Sequence, residues 1–213
     1  MNPNLVTYYS QRAAEYEKIY QKPERQKDLQ QLSHWLQQCF SGTDLLEIAC
    51  GTGYWTERIA QTASSILATD INESVINIAR SKDYHHTEIA FKVADLYSLD
   101  AAMGKNHLLA GFLWSHIPIQ ELGRFLDQVL SLLPVGGTAV FIDNHFVQGS
   151  NLPITHTDEH GNTYQTRYLE DGSAHLILKN FPTESFLHTI CQSKVSTMEF
   201  YPLEYYWGLK CVK

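Results

Sequence analysis

The sequence predicts an open, doubly wound α/β sheet of seven strands, mostly parallel with an antiparallel last strand. An N-terminal helical cap precedes the sheet, and a β-hairpin is inserted after the fifth strand. Three observations predict this class. Between residues 44 and 143, short apolar runs alternate with amphipathic helical stretches, as strands joined by crossover helices do. The first apolar run ends in a glycine turn, Cys50-Gly51-Thr52-Gly53, that leads into a helix. Beyond residue 143, two alternating segments flank Asp171-Gly172, the signature of an antiparallel hairpin.

The elements follow in order. Residues 5–40 carry apolar positions at helical spacing, and Pro23 divides them into two helices. The second, about 24–40, places Leu29, Leu32, Trp35, Leu36 and Phe40 on one face. Strand 44–49 leads through the glycine turn to a helix over about 55–63. Strand 65–69 ends at Asp70 before a helix over 73–80, and strand 89–94 ends at Asp95. Strand 108–114 is followed by a helix over 119–133, stopped by Pro134 and the pair Gly136-Gly137, which cannot extend a helix. Strand 138–143, the hairpin 164–169 and 175–179, a helix over 183–191 and strands 195–201 and 206–212 complete the chain. We read residues 1–213 as one unit: cap 1–40, core 44–143, hairpin insertion 144–181, and C-terminal helix and strands 182–213.

Composition narrows the function. A chain of 213 residues buries enough surface to fold without disulfide or metal staples. With 44% hydrophobic and 18% charged residues it is neither disordered nor coiled coil. Lys and Arg total 16 against 23 Asp and Glu, and a net charge of −7 disfavours nucleic acid and anionic membranes as partners. Cys39, Cys50, Cys191 and Cys211 lack zinc spacing and read as free thiols. Met1-Asn2-Pro3-Asn4 opens no signal peptide, and no apolar run nears the ~20 residues of a membrane span, so a soluble cytoplasmic monomer or homodimer is expected. His156 and His160 flank Asp158 and Glu159, but the segment runs into Gly161-Asn162, so a solvated loop is expected there and no metal site.

The carboxyl ends of parallel strands are where such a sheet binds its ligand. Gly51 and Gly53 let backbone amides approach one closely. Asp70 lies nineteen residues beyond Gly51, near the spacing at which a carboxylate reaches a ribose diol. Asp95 closes the next strand in the same way, placed to accept from an adenine amino group; capping a helix is the alternative use of either aspartate.

These segments together resemble the class I S-adenosylmethionine-dependent methyltransferases. Leu45-Leu46-Glu47-Ile48-Ala49-Cys50-Gly51-Thr52-Gly53 is similar to their first motif. Ala68-Thr69-Asp70-Ile71 resembles their ribose-binding segment, Val93-Ala94-Asp95-Leu96 their adenine-side segment, and Pro134-Val135-Gly136-Gly137 the turn before their fifth strand. The resemblance covers about residues 44–143 and implies a Rossmann-like fold, S-adenosylmethionine as cofactor and methyl transfer by in-line displacement to a small-molecule acceptor aligned by the protein. It implies that Glu47 orients the methionine end, that Gly51 and Gly53 line the cofactor, that Asp70 holds the ribose, and that Asp95 and Leu96 flank the adenine. Ala49, Cys50, Ile71, Ala94, Trp114 and Tyr16 complete the expected cofactor contacts. Ala49 stands where the family has its first glycine, and the fourth strand lacks an acidic residue at its start. Its exit, Trp114-Ser115-His116-Ile117-Pro118, does not match the tetrad of DNA amino-methylases.

His116, His145 and Asp143 lie at the ends of strands four and five and are the candidate catalytic groups, a histidine being able to take a proton near neutral pH. Tyr8, Tyr9 and Arg12 of the leading helix, and Arg167 and Tyr168 of the hairpin, are the candidate substrate contacts; packing on the sheet edge is the alternative use of the N-terminal aromatics. The hairpin is expected to form part of a substrate lid. Two rival readings stay open at this level. One is a Rossmann oxidoreductase using NAD, against which Thr56 stands at the third position of the fingerprint. The other is a protein that binds S-adenosylmethionine without catalysis.

Overall fold

The computed structural model describes residues 7–10, 12–84, 87–101, 104–169 and 171–213, with the backbone alone for 13–16. Seven strands form one sheet: β1 (Asp44–Ile48), β2 (Ser65–Asp70), β3 (Glu88–Val93), β4 (His107–Gly111), β5 (Thr138–Asn144), β9 (Thr197–Pro202) and β10 (Tyr206–Val212). Their order is β3-β2-β1-β4-β5-β10-β9, parallel through β5, with β10 antiparallel to both β5 and β9. The order reverses between β1 and β4, which opens a crevice at the carboxyl ends of the two strands.

The central strands are mostly apolar because both faces are covered. Successive residues alternate between two cores, as the two-residue period of a strand requires. Leu108, Ala139 and Phe141 point to one face, where helix α4 (Leu122–Ser131) contributes Phe125, Leu126 and Val129 and helix α5 (Glu184–Cys191) contributes Leu187. Leu45, Leu109, Val140 and Ile142 point to the other, beneath helices α1 (Gln26–Phe40) and α2 (Tyr54–Ile59) with Leu32, Trp35, Leu36, Phe40 and Ile59. Helix α3 (Glu73–Arg80) connects β2 to β3. Gly208 of β10 is required for this packing, because a Cβ there would meet the Trp35 ring at 2.6 Å.

The expected hairpin gains a short third strand. β6 (His156–Thr157), β7 (Thr163–Tyr168) and β8 (Ala174–Leu178) form a separate antiparallel sheet in the order β6-β7-β8. The loop expected around His156 and His160 is a turn built on Asp158, whose carboxylate accepts from the His160 and Asn162 amides, the Asn162 side chain and the Tyr164 hydroxyl. Among the described residues, no three His, Cys, Asp or Glu side chains are grouped as metal ligands, and no helix is long and apolar enough to cross a membrane.

Two local expectations are corrected. The cap is a helical turn at residues 7–10 followed by a 3-10 run, Ala13–Gln21. β4 ends at Gly111, not at Trp114, because Phe112 takes φ 56° and its amide donates to Ile142 O at 2.7 Å. A left-handed residue cannot continue a strand, so Trp114–His116 forms a single 3-10 turn.

Candidate active site

The site is built at the switch point. Ala49 after β1 and Phe112 after β4 are the only described non-glycine residues with positive φ, at 55° and 56°. Such backbone costs about 1–3 kcal/mol per residue and is held by the surrounding structure. Gly53 caps α2 at φ 81°, and a Cβ there would meet Tyr84 Oη at 2.5 Å and Ala79 Cβ at 3.0 Å, so this glycine serves the close packing of α2 on α3. Asp70 at the end of β2 ties the turn together. Its Oδ2 accepts from the Gly51 amide and its Oδ1 from the Asn72 amide, both at 2.9 Å. Burial raises its carboxyl above the ordinary aspartate range despite those two donors.

Around these strand ends lies an open cavity. Ala49, Gly51, Asp70, Ile71, Ala94 and Leu96, all expected at the cofactor, line it. Glu47, Cys50, Gly53 and Asp95 do not line it. Glu47 is buried, accepts from Thr56 Oγ1 at 2.6 Å, and is pushed up to about 8 by burial and then by the charge of Asp70. Asp95 caps the short turn Leu96–Ser98 by accepting from the Tyr97 amide. Trp114 is corrected: the turn at Phe112 sends its indole into the core, edge-on to Phe125, Phe141 and Trp207, and it lines neither this cavity nor the next. The side chain of Tyr16 lies outside the described residues.

A second cavity lies between the cap, the end of β5 and the small sheet. Tyr9, Arg12 and Arg167, three of the candidate substrate contacts, line it. Tyr8 is buried behind Tyr9, edge-on to it at 5.2 Å, and its hydroxyl accepts from Arg12 at 3.1 Å. Tyr168 points outward, 72% exposed, because neighbours on a strand face opposite sides and Arg167 takes the inner one. Sequence reasoning missed Phe112, Lys18, Lys22, Arg25 and Lys179 on these walls. For the four basic residues the only local signal was their charge, and Phe112 carried none.

Tyr9, Phe112 and His116 line both cavities. His116 is buried, and its Nδ1 donates to Leu178 O at 2.6 Å. Nε2 is therefore the acceptor, and it takes the Tyr9 hydroxyl proton in a 2.8 Å bond. Arg167 Nη1 in turn donates to Tyr9 Oη at 3.3 Å. Burial, then the positive charges of Lys179 and Arg167, hold His116 well below the ordinary histidine range, so it is a neutral base. Asp143 takes another part. It is fully buried and accepts from Lys179 Nζ at 2.8 Å and from the Ser115 amide. Burial pushes its carboxyl up, but the Lys179 ammonium pulls it below the usual range. Asp143 thus fixes the turn that carries His116. His145 packs edge-on to Phe200, its amide donating to Tyr205 O, and lines neither cavity.

Residues 45–137 match a family model described as a methyltransferase domain. A phosphoethanolamine N-methyltransferase of Triticum aestivum is 27% identical over 140 residues, covering 63% of this chain and 28% of the relative. A phosphoethanolamine N-methyltransferase 1 of Zea mays is 29% identical over 112 residues, 51% of this chain and 22% of the relative. The chain thus spans about a quarter of the length of these curated relatives. Among solved structures, a DhpI-SAM-HEP complex superposes with a TM-score of 0.76 at 20% identity over 100% of both chains. N-methyltransferase NodS from Bradyrhizobium japonicum WM9, in complex with S-adenosyl-L-homocysteine, gives 0.68 at 13% identity over 99% of this chain and 98% of that one.

Proposed function

We propose that this chain, whose residues 45–137 match a methyltransferase domain model, is a class I S-adenosylmethionine-dependent methyltransferase that moves a methyl group from S-adenosylmethionine to a small-molecule acceptor by in-line displacement. The observation that carries this reading is the shared wall. Tyr9, Phe112 and His116 border both cavities, so a cofactor in the first and an acceptor in the second meet there.

The first cavity suits the cofactor on its own chemistry. Asp70 spends part of its lone-pair capacity on the two turn amides and keeps the rest for a vicinal diol. Ile71, Val75, Ala94 and Leu96 offer an apolar slot for a flat heterocycle, and Ala49 and Gly51 let the backbone come close. Bound there, S-adenosylmethionine supplies a sulfonium-activated methyl carbon. The chain supplies alignment and proton handling. The proton that an acceptor hydroxyl or ammonium releases goes to Tyr9 Oη as the proton of Tyr9 moves to His116 Nε2. Burial raises the Tyr9 phenol, so the paired transfer avoids a phenolate that the site disfavours. The plant relatives named for phosphoethanolamine N-methylation support a small polar acceptor. The four cysteines, all free thiols, accord with a reducing cytoplasm.

Calorimetric titration with S-adenosylmethionine, S-adenosylhomocysteine and NAD, on the native chain and an Asp70→Asn variant, tests the cofactor. The first two should bind, at least tenfold more weakly to the variant, and NAD should not. Transfer of a labelled methyl group to a panel of small amines and alcohols tests catalysis. Cofactor binding without transfer to any of them would leave a binding protein and sink the enzyme reading.

A further inference from the structure

The second cavity gathers Arg12, Lys18, Lys22, Arg25, Arg167 and Lys179, six of the sixteen basic residues of the chain. None of the 23 Asp and Glu is among its described lining residues. In a chain of net charge −7, this places one sign of charge in one recess, which focuses the field on whatever enters.

Lys179 is answered inside the protein by Asp143. Arg25 and Arg167 are not, since neither forms an ion pair among the described residues. Arg25, 2% exposed, donates from Nε to Ser150 Oγ at 2.9 Å and from Nη1 to Asn144 Oδ1 at 3.4 Å, and lies over the Tyr205 and Tyr206 rings. The exposed Glu24 carboxylate accepts from the Ser150 hydroxyl and feels the Arg25 charge without forming an ion pair with it. Arg167, 9% exposed, donates to Tyr9 Oη and to Gln165 Oε1 at 2.9 Å, and its Nε is buried with no partner. Burying a guanidinium with no carboxylate is costly unless an anion arrives to complete it. The planar fork of arginine matches the oxygens of phosphate and carboxylate groups, and two such forks beside Lys22 exceed what one carboxylate charge would need.

We propose that the acceptor carries a tetrahedral oxyanion, a phosphate monoester or a phosphonate, clamped by Arg25 and Arg167 with its nucleophilic atom toward Tyr9 and His116. The assignment of an acceptor rests on the methyltransferase reading; the anion site itself does not. Arg167 joins the two functions, because the guanidinium that holds the anion also donates to the Tyr9 hydroxyl.

Inorganic phosphate, methylphosphonate, acetate and acetamide are titrated calorimetrically into the full chain, with and without S-adenosylhomocysteine. Phosphate and methylphosphonate should bind at least tenfold more tightly than acetate, and acetamide not measurably. Arg167→Gln should weaken phosphate binding at least tenfold while S-adenosylhomocysteine affinity, which reports the fold, stays the same. Arg167→Lys should fall between. Arg12→Gln, at a half-buried position, gives a second variant with a smaller loss of phosphate affinity. Phosphate and methylphosphonate binding no tighter than acetamide, in a chain that binds S-adenosylhomocysteine, would overturn the anion site and leave the methyltransferase reading standing. Phosphate binding in a chain that does not bind S-adenosylhomocysteine would support the anion site and overturn that reading. If both bind, methylation rates of matched two-carbon amines and alcohols bearing phosphate, phosphonate, carboxylate or amide should follow the same order. Equal rates across them would overturn the acceptor assignment.

Discussion

Glu47 and His116 show opposite effects of burial at single residues. The Glu47 carboxyl is pushed up to about 8, so the folded chain holds a proton there that the unfolded chain gives up near pH 4.5. The native state binds more protons between those values, so the stability linked to Glu47 is complete below about pH 4.5 and is lost as pH rises toward 8, on the order of a few kcal/mol. Glu47→Gln should remove that slope: urea unfolding at pH 5 and pH 8 should show the variant gaining on the native chain at the higher pH. His116 is driven the other way, and an activity profile should keep its plateau through pH 6 to 7, with the acid limb below the ordinary histidine range. Tyr9→Phe keeps the ring and removes the relay; turnover should fall about 10²-fold or more while S-adenosylhomocysteine affinity holds. An acid limb at the ordinary histidine value, or full turnover in Tyr9→Phe, would exclude this relay.

Among the elements, the small sheet is an anchored wall. Lys179, just past β8, donates to Asp143 of β5 and to Ser115 Oγ, and the Asn180 amide donates to Ser115 O. Leu178 O holds His116. A buried pair stripped of one partner leaves an uncompensated charge, so Lys179→Met or Asp143→Asn should each cost about 3–5 kcal/mol in denaturant unfolding. The double variant should recover part of that loss, and additive losses would mean the two residues act separately. Gly208→Ala tests β10, the strand paired with β5. Its new methyl would collide with the Trp35 ring, stacked on Tyr201 at 4.9 Å, and overpacking of this kind costs about 1–3 kcal/mol.

For the whole molecule, the two cavities differ in character: one apolar with a single carboxylate, one cationic, joined at three residues. A ligand that binds only the native state raises stability by about 2.7 kcal/mol at a hundred times its Kd. For a chain of this size that corresponds to a thermal shift of about 5–10 °C. S-adenosylhomocysteine should produce this shift in the native chain and in Arg167→Gln, whose lesion lies in the other cavity. A shift lost in Arg167→Gln would show that the cavities are not independent.

The alternation of apolar runs and helical stretches determined the doubly wound sheet and the glycine turn, because those depend on local periodicity and on backbone that few residues tolerate. Asp70 was legible for the same reason: the end of a strand places it. Trp114 and the joined cavities were not legible. The left-handed backbone at Phe112 reverses which side chains face inward after β4, and nothing local in a phenylalanine announces that. The cationic recess is assembled from residues far apart, Arg25 meeting Ser150 across 125 positions and Tyr9 meeting His116 across 107. Each of those residues reads alone as an ordinary surface charge or loop histidine. Only the packing of cap, sheet and insertion decides that they share one site, because burial and charge are properties of the assembled surroundings and not of the residue.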